Sequence, residues 1–289
     1  MVGCPLRVFQ FSPVCMIPPI ASNFVAGEDP ETAFDHVEEC NRHGVKGILN
    51  LLGEHYHDRE KADADADAYV DLLESLEAST LDACVSVKPS QIGLGVSDAA
   101  FEENLARIVD STEEFVWIDM EDHETTDVTL DAYERHAVET DGNVGVCVQA
   151  NLKRTPDDLE RLAELPGKVR LVKGAYDEPN DLAHKKKADV DEAYRECMAY
   201  AFREFEGGVA VGSHDPAMIE YARDLHEEHG TDFEVQMLMG VREDAQYDLA
   251  EEYEVYQYIP YGSKWMQYFY RRVRERKENA LFALRAVLS

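Results

Sequence analysis

The chain has 289 residues, 45% hydrophobic and 30% charged, with 59 acidic against 28 basic side chains and a formal net charge of -31. A chain of that length buries about three quarters of the surface it would expose unfolded, so a sizeable core is expected and disorder is excluded. The acidic balance repels nucleic acid and anionic membrane as main partners, and it suits the hydrated surface of a protein adapted to a salt-rich cytoplasm.

The first residues carry apolar patches, but Pro5, Pro13, Pro18 and Pro19 interrupt them. No stretch of about 18 apolar residues follows, so neither a signal peptide nor a membrane span is expected and the protein reads as cytoplasmic. Residues 1–44 read as an N-terminal arm with a first helix, and 45–289 as one catalytic unit. The six cysteines are scattered without a C-x-x-C pair, which gives no disulfide framework and no zinc site. Cys84 and Cys147 sit in apolar runs and read as small buried hydrophobes.

From residue 45 onward short apolar runs alternate with amphipathic segments. The runs are "GILNLL" (47–52), "CVSV" (84–87), "FVWI" (115–118), "VGVCV" (144–148), "VRLV" (169–172), "VAV" (209–211), "FEVQML" (233–238) and "VYQYI" (255–259). Their length and β-branched content fit parallel strands buried on both faces. Between them Tyr69, Leu72, Leu73 and Leu76 mark one helical face, as do Phe101, Leu105 and Ile108. A longer face runs from Val190 through Ala193, Tyr194, Cys197, Met198, Ala201 and Phe202 to Phe205. "TPDDLERL" and "HDPAMIEYA" each open with a cap residue and a first-position proline. Eight strand–helix units without a linker predict a single (β/α)8 barrel of the α/β class. A doubly wound sheet would announce itself by G-x-G-x-x-G after a strand, which is absent.

Side chains at the carboxyl ends of barrel strands face the active site. Just past the runs stand Lys88, Asp119 with Glu121, Gln149, Lys173, and Ser213 with His214; Gln236 and Tyr258 lie inside the last two runs. Each alone reads as a solvated strand end or a cap; polar groups at most strand ends together favour a site. Lys88 or Lys173 could serve as a Schiff-base nucleophile, as in barrel aldolases. His55 and His57 are a weak metal signal, and no metal site is expected. The acidic chain also concentrates positive charge in "YFYRRVRERKEN" (268–279). Arg271 and Arg272 stand about 100° apart on a helix, so both can grip one carboxylate only near the mouth which that helix borders. Arg274, Arg276 and Lys277 read as surface ion pairs.

In order along the chain, "VSVKPSQIGL" (85–94), "WIDMED" (117–122), "VGVCVQANLKRTPDDLERL" (144–162), "VRLVKGAY" (169–176), "VGSHDP" (211–216), "FEVQMLMGVR" (233–242) and "YIPYGSKWMQYFYRRVRERKENALF" (258–282) resemble the proline dehydrogenase family. The likeness covers nearly all of the chain beyond residue 23. It implies a distorted, TIM-like (β/α)8 barrel that oxidises L-proline to 1-pyrroline-5-carboxylate, with hydride passing to non-covalent FAD and then to a quinone or another electron acceptor. It further implies a monofunctional enzyme with a peripheral contact at the inner face of the membrane. By the same resemblance Lys88, Arg271 and Arg272 hold the substrate carboxylate, and Tyr258 and Tyr268 pack on the proline ring. Asp119 holds the cations in place, and Arg170 lies by the flavin nitrogen that receives hydride. Gln149 and the Met120 backbone meet the pyrimidine edge, while Lys173, Gly174, Ala175, Ser213, His214 and Glu275 line the rest of the FAD. Asn151 stands where the family usually has an aromatic residue, and Ser213 where it usually has threonine. A Schiff-base aldolase, or a silent flavin- or amino-acid-binding protein, is the alternative.

Overall fold

The computed structural model describes residue 17 and residues 21–270. Eight parallel strands close into a barrel in chain order: β1 (Lys46–Leu51), β2 (Ala83–Val87), β3 (Val116–Ile118), β4 (Val144–Gln149), β5 (Lys168–Val172), β6 (Val209–Gly212), β7 (Phe233–Leu238) and β8 (Glu254–Tyr261). All eight apolar runs become strands. Helix α1 (Pro30–Arg42) precedes the barrel; α2 (Arg59–Glu77), α3 (Asp98–Val109), α4 (Thr126–Glu139), α5 (Thr155–Leu162), α6 (Lys187–Glu204), α7 (Pro216–His229) and α8 (Glu243–Ala250) follow strands β1 to β7 in turn. The marked faces of α2, α3 and α6 are buried except at Val190 and Ala193, at the start of α6.

Two layers of core result. The strands' outward residues pack against the helices in one large cluster, which includes Leu49, Val85, Ile118, Val146, Leu171, Val211, Val235 and Ile259. The inward residues Ile48, Cys84, Trp117 and Ala210 form a separate cluster with Phe115, Tyr256 and Tyr258. Trp117 fits because its neighbour across the ladder is Gly145, where a Cβ would lie 2.5 Å from the indole.

The barrel departs from regularity at its seam. β1 and β8 pair over six residues, Lys46 with Tyr256 through to Leu51 with Tyr261. A helix following β8 would regularly cover this seam from outside. Here α1 covers it: Ala33, Val37 and Cys40 join the outer core, and His36 Nε2 lies 2.6 Å from Gln257 Oε1 on β8. The described residues after β8, 262–270, turn over the barrel's carboxyl-terminal mouth. Residues 265–270 are helical there, and Trp265 and Tyr268 pack with Ala21, Phe24, Val25 and Leu52. Trp265 also donates its indole N–H to Glu28 at 2.8 Å. That placement brings the start of the arginine-bearing stretch to the mouth.

Cap chemistry matches the sequence at α7 and differs at α5. Asp215 caps α7 by accepting from Ala217 N, with Pro216 behind it. Thr155 is not the cap of α5; that position belongs to Arg154, and Thr155 is the first helical residue. Its hydroxyl donates to the Gln149 carbonyl at 2.5 Å, which ties the helix to the end of β4 instead.

Candidate active site

A cavity of about 310 Å³ opens at the carboxyl ends of the strands. Its lining includes Lys88, Asp119, Met120, Gln149, Arg170, Lys173, Gly174, Ala175, His214, Tyr258 and Tyr268, which brings together the site residues expected from the sequence. Ser213 is buried but outside the lining; its hydroxyl accepts from Asp215 N at 3.2 Å. Arg271, Arg272 and Glu275 lie outside the described residues, as do Arg274, Arg276 and Lys277.

Asp119 is the hub of the cavity floor. Arg170, only 4% exposed, donates to Asp119 Oδ1; Ser86 Oγ donates to the same oxygen at 2.7 Å. Tyr258 OH donates to Oδ2 at 2.7 Å, and the Lys88 ammonium stands 3.5 Å from that oxygen. Lys88 is held further by Asn50 Oδ1 at 2.8 Å and Tyr258 OH at 3.2 Å. Burial pushes the Asp119 carboxyl up, but the charges of Arg170 and Lys88 and the bonds from Ser86 and Tyr258 outweigh it. The net result is a pKa below the ordinary value. Burial works against the charge on Arg170, yet Asp119 holds its pKa above the usual value. Burial and the Asp119 charge push the Tyr258 phenol up, so it remains a neutral donor. Two cations meet one carboxylate here, so the floor carries a net charge of +1 inside a chain of -31. The guanidinium lies over the Trp117 ring at 4.9 Å, where the ring's negative face favours a cation.

Glu121, expected beside Asp119, points away from the cavity and accepts from Ser90 N and Ser90 Oγ at 2.7 Å each. Its burial raises the pKa despite those bonds. Gln236, as expected, lines the cavity beside Arg170, accepting from it at 3.1 Å and donating to Glu234 at 2.6 Å. Sequence reading missed Asn50 and Ser86, polar residues inside apolar strands, and Cys147, which borders the cavity. Burial raises the Cys147 thiol, so it is no nucleophile at neutral pH.

The opposite wall is formed by the residues after β5. Lys173 reaches Asp191 at 2.5 Å and Asp215 at 3.0 Å. An ammonium locked between two carboxylates is a poor imine-forming amine, and Lys88 is engaged by Asp119, Asn50 and Tyr258; this tells against the aldolase alternative. Gly174 has φ +105, and a Cβ there would lie 2.1 Å from Asn151 Oδ1. Gln149 donates through Nε2 to the Glu121 carbonyl at 2.7 Å and accepts from Ala175 N at a long 3.4 Å. His57 is exposed and bonds Gly95 O, and the described residues contain no cluster of three or more metal-ligating side chains. A depression of about 320 Å³ between α7 and α8 is lined by helix and loop residues, Arg223 and Glu252 among them, with none from a strand end.

Fold and site together define a (β/α)8-barrel enzyme with a cationic floor under its carboxyl-terminal mouth. The model of the proline dehydrogenase family matches residues 33–285, and the chain belongs to that family. It is 37% identical to the proline dehydrogenase of Deinococcus radiodurans, over 93% of this chain and 90% of that one. Proline dehydrogenase 1 of Bacillus subtilis strain 168 is 33% identical, with the same coverage. Among solved structures, proline utilization A of Bdellovibrio bacteriovorus superposes with a TM-score of 0.81 at 23% identity. That match covers 88% of this chain and 32% of the larger protein, and it speaks to the fold.

Proposed function

We propose that this protein oxidises L-proline to 1-pyrroline-5-carboxylate with FAD as its acceptor. The observation that carries the reading is the net positive Lys88–Asp119–Arg170 floor of a cavity whose other walls combine aromatic and aliphatic groups with Gln149, Lys173, His214 and Gln236. The residues present suit a flavin. Gly174 lets the Asn151 side chain pack against the backbone of the wall, and the buried Asn151 Oδ1 there has no hydrogen-bond partner among the described residues. Gln149 and the Ala175 N–H give an amide edge for the pyrimidine, joined by the Met120 backbone. Lys173 and His214, with Ser213 behind them, extend along the rim; Glu275, outside the described residues, joins them only by the family resemblance. When bound, FAD supplies the two-electron acceptor for the hydride leaving the proline ring carbon.

The chain's own residues bind and orient. Lys88, with Arg271 and Arg272 from the stretch that follows Tyr270, neutralises the substrate carboxylate, which a chain of this charge would otherwise repel. Tyr258 and Tyr268 wall the ring and keep water off it. Asp119 fixes Lys88 and Arg170 in one geometry, so little reorganisation is needed when the substrate arrives. A substrate amine that binds neutral requires no strong base, consistent with a floor whose carboxylate is fully committed to cations. The electron acceptor is proposed to be a quinone, reached by peripheral contact at the inner face of the membrane from a cytoplasmic enzyme. Met266 and Tyr270, exposed one turn apart on the mouth helix, supply apolar surface for that contact.

The test is a visible spectrum of the purified protein under anaerobic conditions. Yellow absorbance bleached by L-proline is expected; a colourless protein that FAD cannot reconstitute overturns the reading. A lysine adduct trapped with borohydride would turn it toward the aldolase. Arg271→Ala or Arg272→Ala is expected to cost about 2–5 kcal/mol in proline binding or turnover.

A further inference from the structure

Residues 173–186, between β5 and α6, form a long connection whose one ladder contact is the bridge between Leu152 and Ala183. Connections longer than about 12 residues without regular structure are uncommon and usually functional. Its second half is tied down by backbone bonds: Lys153 N to Leu182 O at 2.9 Å and His184 N to Asn151 O at 2.7 Å. The first half carries Gly174, Ala175 and Tyr176, all part of the cavity wall. Between Lys173 and Leu182 only one residue is buried, and it is the charged Glu178, 4% exposed.

A buried carboxylate is tolerated where partners hold it. Glu178 finds both on one residue across the cavity rim. Its Oε1 accepts from the His123 backbone N–H at 3.0 Å, and its Oε2 lies 2.5 Å from His123 Nδ1. His123 stands three residues after Met120, which lines the same cavity one strand away from β5 across β4. Gln149, which bonds both the Glu121 carbonyl and Ala175 N, lies between the two loops. The bridge therefore joins the loop after β3 to the loop after β5 at the place proposed for the flavin's pyrimidine edge. The Lys173 ion pairs and the Gln149–Ala175 bond hold the start of this wall, and the Glu178 carboxylate is the buried anchor of its middle.

We propose that Glu178, with His123 as its partner, is a positioning residue that holds the Gly174–Tyr176 wall in the geometry that binds the flavin. The inference rests on the FAD reading. The two contacts predict a graded series. Glu178→Ala removes both bonds, His123→Ala removes the ring contact and keeps the backbone one, and His123→Asn keeps a donor near the Nδ1 position.

The experiment titrates FAD into apoprotein by flavin fluorescence, alongside apoprotein melting and trypsin cleavage after Lys173 and Lys185–Lys187. Glu178→Ala should raise the FAD Kd about tenfold or more and His123→Ala by less, with His123→Asn within about twofold of the parent, as expected for losing hydrogen bonds to a charged group. Cleavage of the loop in the apoprotein should quicken in the same order, with the apoprotein Tm held within about 2 °C. Unchanged FAD binding in Glu178→Ala, equal loss in His123→Ala and His123→Asn, or loss that tracks a fall in Tm would overturn the proposal. If the parent itself binds no FAD, the flavin reading fails and takes this inference with it. A parent that binds FAD beside indifferent variants sinks the inference alone.

Discussion

Lys168 and Arg170 stand two residues apart on β5, share its inward face, and meet carboxylates at opposite ends of the barrel. At the amino-terminal end Lys168 pairs with buried Glu234 at 2.7 Å, and Lys46 pairs with Glu254 at 2.5 Å. Each cation there has at least one carboxylate of its own, and Lys46 also lies 3.6 Å from Asp82. At the carboxyl-terminal end Lys88 and Arg170 share the single Asp119, and the cavity lies above them. The chemistry of the pairs is alike; the stoichiometry differs. A cluster whose cations are fully matched by carboxylates has no positive charge left for an anionic ligand, whereas two cations sharing one anion retain a charge that a substrate can complete. Gln236 links the two ends, accepting from Arg170 and donating to Glu234.

Replacing each cation in turn is the strongest way to break this comparison. Arg170→Met leaves Asp119 buried with half its compensation, and should cost about 3–5 kcal/mol of stability. Turnover should fall by about 10²–10³ even under conditions where the variant is folded. Lys168→Met should cost about 1–3 kcal/mol of stability, because Glu234 loses its partner, with kcat/KM within about twofold. Urea unfolding and steady-state kinetics of both variants decide it; equal kinetic loss would show that the two ends act as one network.

Acid sharpens the same contrast. The Asp119 pKa is depressed in the folded state, so its contribution to stability is complete above the unfolded value of about 3.9 and is lost as pH falls through the lower folded value. The stability gap between parent and Asp119→Asn should therefore be constant from neutral pH down to about 4.5 and close below it. Unfolding free energies of both proteins at stepped pH check this; a gap that closes near pH 6 would point to another titrating group.

Smaller in effect, Tyr258→Phe removes the phenol that bonds Asp119 and Lys88 and keeps the ring. About 1.5 kcal/mol, roughly tenfold in kcat/KM, is expected from that single hydroxyl. A loss below twofold would mean that Ser86 and Asn50 suffice to orient the cations.

Salt separates surface from floor with the mildest expected effect. The Debye length falls from about 30 Å at 0.01 M to about 3 Å at 1 M, which relieves repulsion among surface carboxylates. Melting temperature should rise with potassium chloride, as the salt-adapted reading of the net charge requires. The floor is buried and screened less, so the proline KM should worsen only a few-fold over the same series. Equal stability in dilute buffer would remove the salt-adapted reading and leave the site untouched.

Much of this was legible in the sequence because parallel strands buried on both faces write themselves as continuous apolar runs. The residues just past those runs led directly to Lys88, Asp119, Gln149 and Lys173. Arg170 did not announce itself that way: it sits inside "VRLV", and its place in the site came from the family resemblance. Asn50 and Ser86 stayed hidden because they lie within strands, and what gives them meaning is a neighbour on another strand. Glu121 looked like a floor residue by its spacing from Asp119, but β3 has ended by then and the chain turns it toward Ser90. His123 and Glu178, 55 residues apart, carry no local signal of their pairing.

The seam between β1 and β8 has a consequence for how the chain assembles. Its ladder joins residues near the start to residues more than 200 positions later, and α1 needs both strands for its seat: His36 meets Gln257 across 221 residues. Contacts so distant are costly to form early, because the loop between them must close before they return any stabilisation. During synthesis β1 therefore emerges as a parallel edge with no partner on one side, and α1 keeps half of its apolar face uncovered until the last strand arrives. The strand made last thus completes the seat of the first helix.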